Sequence, residues 1–133
     1  MATKAEITAF FEKEIPHFNC IIEEVGNHSA LTRHLVGERE LRFGGTVSGP
    51  TLMAAADVSL YVAIIGEIGL VTQTATTSLN INFLRKPAGD KDIICKCKLI
   101  KVGRTLIVGE VSLYSEGDDR EVAHAVGTYA VFQ

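Results

Sequence analysis

A single apolar segment limits the folds that are open to this chain. Residues 51–71 carry only two charged side chains, Asp57 and Glu67, and otherwise consist almost wholly of apolar and small residues. The segment is long enough to span a membrane, but the two carboxylates and the interruptions at Gly66 and Gly69 argue against a span. Because a helix that is apolar nearly all round must be covered by other elements, the segment predicts a buried core helix.

The ends of this helix are marked by proline and glycine. Pro50 suits the first helical position, where no backbone N–H is needed, and Gly66 and Gly69 mark a fraying end. We therefore expect a helix over 51–69, which at about 1.5 Å per residue is roughly 28 Å long and can cross a sheet.

Short-range signals place other elements before the long helix. A first helix is expected over 3–15, where apolar residues recur at helical spacing and Thr3 and Glu6 have the spacing of a capping box. Two strand-like runs within 18–36 then flank Gly26–Asn27, which favours a hairpin turn.

Strand-like runs follow the long helix. Apolar and polar residues alternate in them, which is the period of a strand with one buried face. The runs are TATTSLNINFL (74–84), DIICKCKLIKV (92–102), LIVGEVSLY (106–114) and REVAHAVGTYAVF (120–132). A buried helix against an antiparallel sheet is an α+β layer arrangement, and a length of 133 residues argues for one domain over 1–133.

Composition argues against several classes of protein. Hydrophobic residues make up 47% and charged residues 22% of the chain, so a disordered chain is not expected. With a net charge of -3 and no Lys/Arg cluster, no nucleic-acid partner is expected. The three cysteines, Cys20, Cys95 and Cys97, suggest neither a disulfide framework nor zinc ligands. We expect no metal, no signal peptide and a reducing cytoplasm as the location.

Asp57 and Thr77 are the polar residues that fit this pattern least. A carboxylate on a buried helix is costly unless it is paired or reaches water. Thr77 shares the apolar face of its strand with Leu79 and Ile81, so a hydroxyl and a carboxylate are expected in one layer. Two interpretations stay open. Asp57 either has a buried partner, Thr77 or Arg42, or it belongs to a small polar site in an apolar cleft.

Gly49 favours the second interpretation. It stands just before the predicted helix, where free backbone N–H groups and the helix dipole can stabilise an oxyanion, although a plain helix cap is also common. Gly49 and Asp57 are eight residues apart, which is roughly 12 Å along one helix. A reacting carbonyl must lie close to both groups. A site here therefore needs two antiparallel copies of the helix and predicts a twofold dimer with two composite sites.

Several short segments of the sequence follow one another in the order that is found in one protein family. SGP (48–50) is followed by Asp57, then by TTSLNINFLRKPAGD (76–90), LIKVGRTLIVGEVSLYSEG (99–117) and AHAVGTYAVF (123–132). From about residue 40 to the end, this pattern resembles the hotdog-fold acyl-CoA thioesterases of the phenylacetic-acid-degradation (PaaI) type. That family has a glycine-rich turn, often HGG, before its central helix and an Asp eight residues after the middle of the turn. Gly49 and Asp57 stand at these two positions.

The resemblance implies a fold and a chemistry. The hotdog fold is a long helix wrapped by a curved antiparallel sheet, and family members dimerise by joining sheets and often pair again into tetramers. They hydrolyse acyl-CoA without a metal or another cofactor, so coenzyme A enters only as part of the substrate. On this analogy Asp57 acts as general base or nucleophile, Thr77 helps to hold the water, and the Gly49 N–H polarises the thioester carbonyl.

Two positions depart from the family pattern. Ser48 stands where the family has its histidine, and Arg42 stands where an Asn or Gln often assists the carbonyl. An arginine can donate hydrogen bonds, but it could also neutralise Asp57 and make it a weaker base. The residues that we assign to substrate or coenzyme A are Ser48, Pro50, Tyr61, Asn80, Arg85, Lys86, Gly103 and Arg104, with the cations suited to the phosphates.

Other functions stay open beside hydrolysis. The main alternative is an acyl-CoA-binding protein that keeps the hotdog cavity without turnover. A hotdog dehydratase ranks lower, because such enzymes generally rely on a histidine with an acid, and no histidine lies near Asp57 on the helix. The histidines, His17, His28, His34 and His124, all fall away from the family's catalytic positions.

Overall fold

A computed structural model describes residues 1–16 and 19–132 of the chain. The helices are α1 (Lys4–Glu14) and α2 (Gly49–Ile68), with a short 3₁₀ turn at Glu38–Glu40. The strands are β1 (Cys20–Gly26), β2 (Ser29–His34), β3 (Thr74–Phe83), β4 (Ile93–Val102), β5 (Leu106–Ser115) and β6 (Ala123–Val131). Helix α1 and the β1–β2 hairpin precede α2, and the other four strands follow it.

The strands form one antiparallel sheet in the order β1-β2-β4-β5-β6-β3. Helix α2 packs on one face of the sheet, and its buried side chains share a single core with those of the strands. The predicted α+β architecture, a long helix wrapped by an antiparallel sheet, is confirmed. Strand β3 forms one edge, is largely exposed, and has β6 as its one strand neighbour in the described chain.

Helix α2 begins at Gly49, slightly before the predicted start. The Ser48 hydroxyl caps it by accepting a hydrogen bond from the Thr51 N–H at 3.2 Å, and Pro50 lies in the first turn. The helix ends at Ile68, followed by Gly69 with a φ of 103° that favours glycine. Helix α2 is long and apolar enough to cross a membrane, but 56% of that stretch is buried inside the protein. It is therefore the core helix that the sequence predicted.

Leu60 sets the distance between α2 and the sheet. It is 1% exposed and lies over Gly109 of β5 and Gly127 of β6, which are register partners. A Cβ atom built on Gly109 or Gly127 would come within 2.7 Å or 2.5 Å of a Leu60 methyl carbon. The two glycines therefore leave a space that the Leu60 side chain fills. This space lets α2 pack closely on β5 and β6.

Helix α1 and the β1–β2 hairpin turn lie against the C-terminal end of α2. The predicted capping box of Thr3 and Glu6 starts α1, and the predicted hairpin turn contains His28 with a φ of 56°. The His28 N–H donates to the Glu67 carboxylate at 3.1 Å, which gives the second charge of the apolar segment a partner. Phe18, at the start of the predicted strand run, lies outside the described residues.

Candidate active site

Asp57 lies in the middle of α2 and is half-buried. Its Oδ1 atom accepts a hydrogen bond from the Thr76 hydroxyl at 2.8 Å and a second from the Tyr129 hydroxyl at 2.7 Å. Within residues 1–16 and 19–132, no donor is bonded to its other oxygen, Oδ2. The apolar segment tolerates this carboxylate because one oxygen is satisfied, and the second oxygen is left available for chemistry.

A β-bulge in β3 decides which threonine reaches the carboxylate. The register between β3 and β6 shifts between Thr76 and Ser78, so Thr77 has no register partner. Such an extra residue interrupts the alternation of faces along a strand. The Thr77 hydroxyl donates to the carbonyl oxygen of Thr128 at 3.2 Å. The pairing of Asp57 with Thr77, one of the interpretations left open, is therefore not formed within one chain, because Thr76 is the donor.

Tyr129 is the residue of this cluster that the sequence analysis missed. It lies on β6, is 5% exposed, and stacks on Tyr61 with ring centroids 6.2 Å apart and planes 19° from parallel. Burial raises the pKa of its hydroxyl, so the group keeps its proton and stays a donor. A tyrosine on an apolar strand face was the available signal, since a buried phenol usually finds a partner for its hydroxyl.

The N-terminus of α2 opens into a separate cleft of about 510 Å³. Gly49, Leu52 and Phe83 are among the residues that line it. A Cβ atom at Gly49 would lie 3.4 Å from the Phe83 ring, so this position is close to the ring. The Gly49 N–H has no hydrogen-bond partner in the described part of the chain. It is therefore free to donate to a bound carbonyl oxygen.

This cleft is positively charged. Arg42, Arg85 and Lys86 line it, are exposed, and form no ion pair with a described residue. In particular, the expected alternative pairing of Arg42 with Asp57 is not formed within one chain. The positive end of the α2 dipole adds to the same field. The cleft is therefore suited to an anionic ligand.

Ser48 and Pro50 flank Gly49, and the Ser48 hydroxyl is already engaged in hydrogen bonds of the helix cap. The Ser48 hydroxyl lies 2.7 Å from the Thr51 hydroxyl and accepts from the Thr51 N–H, so its lone pairs serve the helix cap. Pro50 is exposed on the first turn. The histidine that the family carries is thus replaced by a capping residue.

The remaining predicted substrate residues do not join this cleft within one chain. Tyr61 donates its hydroxyl to the carbonyl oxygen of Val71 and lies inside the aromatic stack. Asn80 is exposed on the edge strand β3. Gly103 and Arg104 form the β4–β5 turn, which lies against the last residues of β6.

The β4–β5 turn and the basic cleft lie at opposite ends of the sheet. The carbonyl oxygen of Thr105 accepts from Val131 at one end of β6, while the Arg85 N–H donates to the carbonyl oxygen of Val122 just before the other end. Nine residues of extended chain separate these positions, roughly 30 Å at the rise of a strand. Arg85 and Arg104 of one chain therefore cannot bind the same phosphate group.

None of the described histidines bonds to Asp57 or lines the Gly49 cleft. His34 is 5% exposed on β2, lies 3.0 Å from the Thr32 hydroxyl, and burial lowers its pKa to about 4. His28 belongs to the hairpin turn, and His124 lies 3.7 Å from a Glu110 carboxylate oxygen. His17 lies outside the described residues. Among the residues that the structure describes, no group of His, Cys, Asp and Glu side chains is arranged to hold a metal ion.

The fold is that of the hotdog class, and the comparisons with known proteins agree. The model of the thioesterase superfamily matches residues 44–122. Because this match covers more than half of the chain, the protein belongs to the thioesterase superfamily. The activity that follows at this level is the hydrolysis of acyl thioesters.

Solved structures support the same assignment. A protein of Silicibacter sp. TM1040, provisionally named a thioesterase, is 36% identical, with a TM-score of 0.88 over 98% of this chain and 92% of that one. The PaaI protein of E. coli, from the phenylacetic-acid-degradation operon, has a TM-score of 0.83 at 16% identity over 96% and 91%. A hypothetical thioesterase of Streptococcus pneumoniae, solved with coenzyme A, has a TM-score of 0.79 at 24% identity over 95% and 96%. The predicted hotdog fold is confirmed, and the 36% identical structure agrees with the family assignment.

Proposed function

We propose that the protein hydrolyses acyl-CoA thioesters at two composite sites of a twofold homodimer. In each site the Gly49 N–H of one protomer polarises the thioester carbonyl, and Asp57 of the other protomer acts on water or on the carbonyl carbon. Acyl thioester hydrolysis follows from the family, while the coenzyme A moiety, the dimer and the residue roles are the proposal.

The observation that carries this proposal is a stripe along α2. Gly49, Met53 and Asp57 follow at intervals of four residues, so they lie on one face of the helix. Met53 stands midway between the other two and is 40% exposed, although it is a large apolar residue. If a twofold axis passes close to Met53, each Gly49 faces the partner's Asp57, and two methionines cover each other.

The edge strand β3 supports the same dimer. Its free edge, ten residues long, borders the α2 stripe, with Phe83 against Gly49 at one end and Thr76 against Asp57 at the other. An exposed edge of this length is a template for another strand. Antiparallel pairing of β3 with its own copy would join two sheets and bring the two stripes together. It would also carry the Arg104 turn of one chain towards the Arg85 end of the other.

Hydrolysis at this site can follow one of two routes. As a general base, Asp57 takes a proton from water while the water oxygen adds to the thioester carbon, and the Gly49 N–H holds the developing oxyanion. As a nucleophile, the carboxylate itself adds to the thioester carbon and displaces the thiolate, and water later hydrolyses the mixed anhydride that forms. In both cases the C–S bond breaks, the carboxylic acid is released, and the thiolate of coenzyme A takes up the proton.

The basic cleft supports coenzyme A as the thiol half of the substrate. Arg42, Arg85 and Lys86 provide exposed cations beside the Gly49 N–H, and such groups pair well with phosphate oxygens. The related structure that contains coenzyme A adds to this support. Coenzyme A takes part only as a substrate moiety. Further pairing into tetramers and a location in the cytoplasm stay predictions.

Arg42 supports a second candidate, an acyl-CoA-binding protein without turnover. A cation in the Gly49 cleft would face the partner's Asp57 in the proposed dimer and could form an ion pair that weakens the base. The experiment that separates the two is thiol release from a panel of short, long and aromatic acyl-CoAs, run beside equilibrium binding of the same compounds. Turnover of at least one acyl-CoA supports hydrolysis, and tight binding without turnover supports the binder.

A further inference from the structure

We propose that Tyr129 is the positioning residue of the catalytic carboxylate, so that its hydroxyl fixes which oxygen of Asp57 faces the thioester. This inference rests on the proposed function and extends it to a residue outside the substrate-contacting set. The hydroxyl lies 2.7 Å from Asp57 Oδ1 and 2.9 Å from the Asp57 backbone carbonyl oxygen. It has one proton, and the ionised carboxylate is the stronger acceptor.

The geometry assigns different roles to the two carboxylate oxygens. Oδ1 accepts from Tyr129 and from Thr76, and within the described chain Oδ2 accepts from no residue. Two donors on one oxygen hold the carboxylate plane, so Oδ2 is the atom left to take a proton or attack. Thr76 alone leaves a rotation open, because a single hydrogen bond to one oxygen does not fix the carboxylate plane. Tyr129 supplies the second hydrogen bond, from a hydroxyl whose position is fixed.

Tyr129 is fixed because it is part of a buried aromatic row. Its ring stacks on Tyr61 at 6.2 Å, and Tyr61 stacks on Phe11 of α1 at 6.2 Å. The ring is almost wholly buried, so the hydroxyl has little room to turn away from Asp57. A donor held rigidly in a packed interior orients a reacting group better than a hydroxyl that is free to rotate.

The same row provides a matched control. Tyr61 also has a partly buried hydroxyl, but this group donates to the carbonyl oxygen of Val71 and does not bond to Asp57. Tyr129→Phe and Tyr61→Phe therefore each remove one hydroxyl from the same stack and keep both rings. A merely structural role predicts similar effects of the two substitutions on turnover, whereas a positioning role does not.

The test measures kcat and KM for wild type, Tyr129→Phe and Tyr61→Phe with an acyl-CoA that the wild type hydrolyses. We expect Tyr129→Phe to lower kcat about 10- to 100-fold, the usual size of one hydrogen bond to a charged group. KM should stay within about twofold, because the substrate does not touch the hydroxyl, and Tyr61→Phe should lower kcat clearly less than Tyr129→Phe. Equal kcat values for Tyr129→Phe and wild type would overturn the inference, as would equal losses in both variants.

Crystal structures of the two variants give a readout that does not need turnover. The Asp57 carboxylate should rotate or split between orientations in Tyr129→Phe and should keep its orientation in Tyr61→Phe. An unchanged carboxylate in both variants would overturn the positioning role. Absence of thiol release from wild type would instead overturn the proposed function, so the two failures are distinguishable.

Discussion

Gly49 and Asp57 lie on the same face of α2, one in the first turn of the helix and the other two turns further on. The free N–H and the free carboxylate oxygen are therefore separated by roughly 12 Å along the axis, too far to act on one carbonyl group. Both nevertheless have the surroundings of reacting groups, since each is left without a partner in the described chain. The composite site of the proposed dimer would bring the two groups together.

Replacement of Asp57 by Asn should remove most of the activity. The amide can still accept from Thr76 and Tyr129, so the fold should persist, but it cannot serve as a base or a nucleophile. We expect kcat for acyl-CoA hydrolysis to fall about 100- to 10,000-fold, the usual contribution of a general base. Asp119→Asn, on an exposed turn, is the control and should leave kcat unchanged. Near-normal thiol release by Asp57→Asn would reject the assignment of this carboxylate.

Removal of the Gly49 N–H should weaken the oxyanion site without unfolding the helix. Proline suits the first turn of a helix, and Ser48 already has the extended φ of −72° and ψ of 152° that a residue before proline prefers. Gly49→Pro should lose about 100- to 1,000-fold in kcat. Because position 49 is helical and precedes Pro50, where the helical conformation is disfavoured, circular dichroism of the variant must first match that of wild type. Gly49→Ala keeps the N–H and should retain much more activity, despite its closer contact with Phe83. Equal kcat values for the two variants would contradict the role of the N–H.

The free energy of unfolding should decrease as the pH is lowered from 6.5 to 4, because His34 is buried. Burial lowers its pKa to about 4, while in the unfolded chain the value is about 6.5. The unfolded state therefore binds more protons in this window, so the free energy of unfolding decreases as the pH drops through it. The expected loss is about 3 kcal/mol between pH 7 and pH 4, measured by urea unfolding. His34→Gln should lose less over this range, and His124→Gln, which is half-exposed, should behave like wild type. An equal pH dependence in His34→Gln would contradict this account.

Ser59 should be dispensable for stability. Its hydroxyl is fully buried in α2 and, among the described residues, is the one buried side-chain oxygen or nitrogen without a hydrogen-bond partner. An unsatisfied buried hydroxyl is unfavourable, and alanine is the better helix former. Ser59→Ala should therefore leave the free energy of unfolding unchanged or raise it by about 1 kcal/mol. Ser48→Ala, which removes the N-cap of the same helix, should lower it by about 1 kcal/mol. A clear destabilisation by Ser59→Ala would show that the hydroxyl has a partner.

The elements that local signals determine could be predicted from the sequence. The capping box of α1 needs only Thr3 and Glu6, and the buried helix α2 follows from its composition and from Pro50. The separation of Gly49 and Asp57 is likewise a consequence of helix geometry alone. These parts depend on neighbours a few residues away, so the sequence pattern was sufficient for them.

The contacts of Asp57 depended on information that local patterns do not contain. The bulge at Thr77 shifts the alternation of β3, and strict period two therefore selected the wrong threonine. Tyr129 approaches Asp57 from 72 residues further along the chain, through a register of β6 that only the assembled sheet defines. Tyr61 was assigned to the substrate because of its place on α2, and only the assembled structure shows that its ring lies in the aromatic stack.

The most direct test of the composite site mixes two inactive variants, Asp57→Asn and Gly49→Pro, by co-expression or by dissociation and reassociation. A mixed dimer has one site with an intact Gly49 from the first chain and an intact Asp57 from the second, and its other site lacks both groups. With random pairing, thiol release should recover to about a quarter of the wild-type rate. If the mixture stays as inactive as either variant although mixed dimers form, or if the wild type sediments only as a monomer, the two groups do not act across a dimer interface and the account is contradicted.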